Sequence, residues 1–96
     1  MTRWLLAALM IALLPACAST TGRTTGVVVE VEGTLGDVEA FTVLADGEET
    51  TFLPIDGQEY EFPLDHLRDH LRSGEPVIVD WELRDEERYV LAITDG

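Results

Sequence analysis

The chain has 96 residues, with nineteen acids against six basic residues and a formal net charge of −13. Such an acidic surface repels phosphate backbones and anionic lipid headgroups, which disfavours nucleic-acid binding and attachment to a membrane through a basic patch. The single cysteine, Cys17, excludes an intramolecular disulfide.

Arg3 forms a short positive head, and Trp4 to Leu14 is an unbroken apolar run. That run is shorter than the roughly 20 residues needed to span a bilayer, so residues 1–16 read as a signal peptide. The segment ends in Leu14-Pro15-Ala16-Cys17. It resembles the bacterial lipobox, with an aliphatic residue three positions before the cysteine and a small one just before it. The resemblance implies that Cys17 carries diacylglycerol and becomes the first mature residue, usually acylated on its amino group. Two or three acyl chains suffice for stable anchoring where one is marginal. Ala16-Cys17-Ala18 also has the small-x-small form of an ordinary cleavage site, which would release a soluble protein beginning at Ser19.

Residues 17–26, small and polar after the cysteine, read as the lipidated residue and a flexible tether. Residues 27–96 read as the folded domain. Val27, Val29 and Val31 alternate on a first strand, and Val38 to Ala45 makes a second, with Phe41 and Val43 on one face. Asp46-Gly47 is a hairpin signal, because glycine tolerates the positive φ of a tight turn. Thr50 to Ile55 returns as a third strand, and Glu59 to Phe62 is a short extended piece. Leu64 to Arg72 shifts to helical period, with Leu64, Leu67 and Leu71 on one face, Gly74 as a C-terminal cap and Pro76 beyond it. Val77 to Arg84 and Tyr89 to Ile93 close the chain as two more strands around an acidic turn, Asp85-Glu86-Glu87. The domain is therefore mainly β with one short helix. Its order, β-β-β-α-β-β, resembles the OB-fold, a small five-stranded barrel. An SH3-like barrel or an open sheet crossed by one helix are the alternatives.

Few residues carry chemistry. His66 and His70 stand one helical turn apart, close enough to share a metal ion, and are weak metal candidates because no third ligand is placed beside them. No metal site, cofactor or ligand-binding residue is assigned on that basis. The calcium-loop spacing is missing from the acidic turn. Ser73 lies in a helix-ending turn with no base in sequence register, so no catalytic residue is assigned and the chain is not expected to be an enzyme. The OB ligand face stacks aromatic residues on its ligand, for which Trp81, Tyr60, Phe41, Phe52 and Tyr89 come into question. A domain this small needs most of them as core.

The expectation is an exported, lipid-anchored, non-catalytic binding or envelope-associated protein, held to the membrane through Cys17 and binding an envelope protein or component. It would sit on the outer membrane or on the outer face of the cytoplasmic membrane. The alternatives are a periplasmic metal- or cation-binding protein using His66, His70 and surface acids, and a soluble secreted domain cut behind Ala18.

Overall fold

The computed structural model describes residues 20–96. The leader, Cys17 and the start of the expected tether lie outside the described residues. Five strands, β1 (Thr20–Thr34), β2 (Asp37–Ala45), β3 (Glu48–Leu53), β4 (Val77–Arg84) and β5 (Glu87–Asp95), and one helix, α1 (His66–Ser73), follow in the expected order. The sheet closes on itself as β1-β2-β3-β5-β4. Closure excludes the open-sheet alternative, and a helix between the third and fourth strands of such a barrel is the OB-like arrangement. No helix among the described residues is long and apolar enough to cross a membrane.

Closure depends on residues that read as tether. Thr20 to Gly26 is strand, paired antiparallel with β4 from Thr20 opposite Leu83 to Gly26 opposite Val77. The two glycines mark close approach here. A Cβ at Gly22 would overlap the Trp81 indole, and one at Gly26 would run into the Leu44 carbonyl. Composition rich in Gly and Thr thus concealed a strand whose glycines are needed where ring and backbone come near.

Three bulges also displace the expected alternation. Val28 pairs with Val43 and Glu30 with Thr42, so Val29 is an extra residue in β1. Val28 is buried and Val29 exposed, the reverse of the alternation read from Val27, Val29 and Val31. Glu39 is the extra residue on β2, between partners Val38 and Ala40. On β5 the extra residue is Leu91, because Asp80 pairs with Ala92 and Trp81 with Val90. Val90 and Ile93 therefore face inward and Leu91 outward. Each bulge shifts side-chain phase by one, which a period-two reading cannot see.

The core is the cluster Val28, Phe41, Val43, Phe52, Val77, Val79, Val90 and Ile93, closed at the α1 end by Phe62 and Leu67. Phe41 and Phe52 face each other across the β2–β3 ladder with ring centroids 5.6 Å apart. Of the three leucines expected inside, only Leu67 is fully buried. Leu64 is half-buried and Leu71 is 40% exposed, while His70, at 4% exposure, takes an inward position. The β3–β5 seam pairs only Phe52 with Arg88 and Leu53 with Tyr89. Beyond it, the segment after β3 covers β5. The Tyr60 hydroxyl donates to the Val90 carbonyl and the Gln58 amide to the Leu91 carbonyl, each at 2.8 Å. The extended piece expected at Glu59–Phe62 is thus irregular chain that satisfies an edge through side chains.

Candidate functional site

Helix α1 lies across one end of the barrel and is pinned there by polar contacts. Asp65 makes no side-chain cap bond to the helix. Its carboxylate instead accepts the Gly36 backbone N–H at 3.0 Å and the Arg68 guanidinium at 2.8 Å. Arg68 donates in addition to the carbonyls of Gly33 and Thr34. Gly74, in the left-handed region at φ 79°, ends the helix by donating its N–H to the His70 carbonyl. A glycine adopts that conformation without the Cβ penalty.

Strand β4 starts three residues after that cap, and β5 returns antiparallel to finish opposite its start, Asp95 against Val77. Asp95 is thereby brought to the two histidines. Its Oδ1 lies 2.7 Å from His70 Nε2 and 3.3 Å from His66 Nε2. The three ligand atoms, one from each residue, all lie within 4.8 Å of one another. Both outer ring nitrogens face acceptors. His70 Nδ1 donates to the Glu75 carbonyl at 2.7 Å, and His66 Nδ1 to Asp69 Oδ2 at 3.1 Å. In the neutral rings those contacts call for the hydrogen on Nδ1, and both Nε2 atoms point at one carboxylate oxygen.

Phe62 forms the apolar wall of this cluster, its ring centroid 4.8 Å from that of His66 and 5.5 Å from that of His70. An open pocket of about 330 Å³ adjoins it, with Phe62, Pro63 and Ile93 on its apolar side and Glu61, His66 and Asp95 on its polar side. Burial opposes the charged form of His70, but the Glu75 carbonyl and the Asp95 carboxylate outweigh it and raise the pKa above the ordinary value of 6.5.

Sequence reading singled out His66 and His70 and missed Asp95, which stands 25 residues beyond His70. The signal was available in the topology: a hairpin whose first strand follows the helix must bring its last residue back to the helix end. The aromatic residues do not assemble into a stacking platform. Phe41 and Phe52 are fully buried. The Trp81 indole N–H donates to Thr24 Oγ1, and Arg88 covers its ring at 4.8 Å. Arg84 lies over Tyr89 at 5.6 Å. Tyr60 is anchored by its hydroxyl, which also accepts the Ile55 N–H at 2.9 Å. Burial, partly offset by that N–H, pushes the Tyr60 phenol up from its ordinary value. The Ser73 hydroxyl accepts the Glu75 N–H, and Asp85 and Glu86 form a two-residue turn. Compared with protein-family models and with curated proteins, the chain matches none.

Proposed function

We propose that this is an exported, lipid-anchored, non-catalytic binding protein of the cell envelope, attached through Cys17 and presenting the α1 end of its barrel away from the membrane. The observation that carries the reading is the apolar leader ending in Leu14-Pro15-Ala16-Cys17. Three peptide steps separate Cys17 from Thr20, so the start of β1 lies within about 11 Å of the anchored residue. Thr20 pairs with Leu83, at the end of β4 remote from α1. Leu83 is six residues beyond Val77, about 20 Å along the strand. A lipid on Cys17 would accordingly hold the hairpin end near the membrane and leave His66, His70 and Asp95 facing outward. Ser73 being occupied in a helix-ending turn supports the non-catalytic part, and the acidic surface argues against a nucleic-acid partner.

Fractionation of the producing cells with intact-mass measurement tests the reading. The protein is expected in the membrane fraction, starting at Cys17 and carrying acyl mass, and Cys17→Ser should move it out of that fraction. A soluble chain starting at Ser19 without lipid would overturn the anchored reading in favour of a secreted domain.

A further inference from the structure

We infer that His66, His70 and Asp95 form a binding site for one divalent transition ion of the imidazole-preferring kind, with Zn²⁺ as its representative. The inference stands on ligand geometry and does not depend on a lipid at Cys17.

The two Nε2 atoms and Asp95 Oδ1 converge on one point from two separate elements. With both Nδ1 atoms facing acceptors, what faces that point in the neutral rings is two nitrogen lone pairs and a carboxylate. Three acceptors that close repel one another unless a hydrogen or a cation lies between them. A metal ion answers all three at once, whereas a hydrogen on His70 Nε2 answers only the 2.7 Å contact to Asp95. Four-coordinate zinc at about 2.0–2.1 Å from each ligand separates neighbouring ligand atoms by roughly 3.3 Å. The His66–Asp95 distance already has that value at 3.3 Å, and the Asp95 carboxylate, 66% exposed, has room to withdraw from His70.

The supporting groups around the ligands match what metal-bound histidine requires. A carboxylate, Asp69, orients His66, and a backbone carbonyl, that of Glu75, orients His70. Such partners fix the ring and raise its basicity as a ligand. Phe62 packs against both rings from its apolar side. Two imidazoles and one carboxylate are a poor set for Ca²⁺ or Mg²⁺, which take oxygen ligands, and a suitable one for Zn²⁺, Cu²⁺ or Ni²⁺. Three protein ligands leave one position of a tetrahedral ion open, and the pocket beside His66 and Asp95 gives that position access to water or an incoming ligand. The site is therefore of the exchangeable kind.

Calorimetric titration of the purified mature protein with Zn²⁺, and separately with Ca²⁺, tests this. One Zn²⁺ should bind per chain while Ca²⁺ heats match dilution, and the Nε2 resonances of both histidines should shift together. His66→Gln and Asp95→Asn alter partly or largely exposed side chains, and each should weaken Zn²⁺ binding at least tenfold with the fold intact by circular dichroism. They carry the test because His70 is buried and its replacement disturbs packing. Zn²⁺ heats equal to buffer would overturn the site, as would unchanged affinity in both variants, which would mean binding to scattered surface acids. Zn²⁺ binding that survives Cys17→Ser while the protein leaves the membrane fraction separates this result from that on the anchor.

Discussion

At the hairpin end of the barrel, β4, β5 and the front half of β1 are held by partners in ladder register. Arg23 clamps Asp80, and the Trp81 ring lies between Gly22 and Arg88. At the α1 end the contacts are side-chain bonds made outside ladder register: Asp65 to Gly36, Arg68 to Thr34, Tyr60 to Val90, His70 to Asp95. The first end is a twisted sheet held by close approach and surface charge. The second is an irregular lid whose buried members, Phe62, Leu67 and His70, have no ladder to hold them. Two of the candidate metal ligands, His66 and His70, stand on that packed lid, and the third, Asp95, reaches them from the end of the β4–β5 ladder.

Separate substitutions at the two ends should give separable results. The largest effect is expected from Leu67→Ala, since Leu67 is fully buried under α1. It should cost about 2–5 kcal/mol in urea unfolding and loosen the His66–His70–Asp95 cluster. A loss under about 1 kcal/mol would mean that α1 is not integral to the core. Gly22→Ala forces the Trp81 ring to move and should cost about 1–3 kcal/mol with a change in tryptophan emission. Zn²⁺ affinity should stay at the parent value, because Gly22 lies at the opposite end.

Glu86→Gly should stabilise. Two of the three hairpin turns hold positive φ at two successive residues, Asp46 and Gly47 in one, Asp85 and Glu86 in the other. A non-glycine residue there costs about 1–2 kcal/mol, of which glycine's extra chain entropy takes back about 0.5–1. A net gain of about 0.5–1 kcal/mol in unfolding free energy is expected, and a loss would show that the Glu86 side chain makes a contact that matters.

The smallest effect concerns pH. Arg23, through its hydrogen bond and charge, holds the Asp80 carboxyl below the ordinary value of 3.8. Its contribution is thus present above that value and lost as pH falls through the depressed one. The melting-temperature gap between the parent and Asp80→Asn should narrow below about pH 4 and shrink with added salt. A gap constant with pH would place the effect in packing.

Much of the hairpin end is readable from local pattern. Val77 and Val79 alternate with Ile78 and Asp80 as a half-buried strand should, and Asp46-Gly47 announces its turn. The bulges at Val29, Glu39 and Leu91 escape such a reading, because one extra residue inverts inside and outside without changing composition. Thr20–Gly26 escapes because its glycines have the same letters whether they give freedom or clearance. At the α1 end, His66 and His70 are visible as an i, i+4 pair, but Asp95 is an ordinary acid near the end of an acidic chain until strand pairing brings it back. Leu71, expected on the buried face, turns outward because α1 rests on the barrel along Leu67 and His70, a choice made by what lies beneath the helix.

Strand β1 serves two partners, β2 along its back half and β4 along its front half. The back half finds its partner within a hairpin, whereas Arg23 meets Asp80 across 57 residues of sequence. On a chain that emerges from its N-terminus, Val27 to Thr34 can pair early, while Thr20 to Gly26 must wait for nearly the whole sequence. One strand is therefore completed in two instalments, and the second closes the barrel. Pulse-labelled hydrogen exchange during refolding should show the back half protected first. Thr20 to Gly26 is then the last part of the domain to be tied down, and should be the last to gain protection.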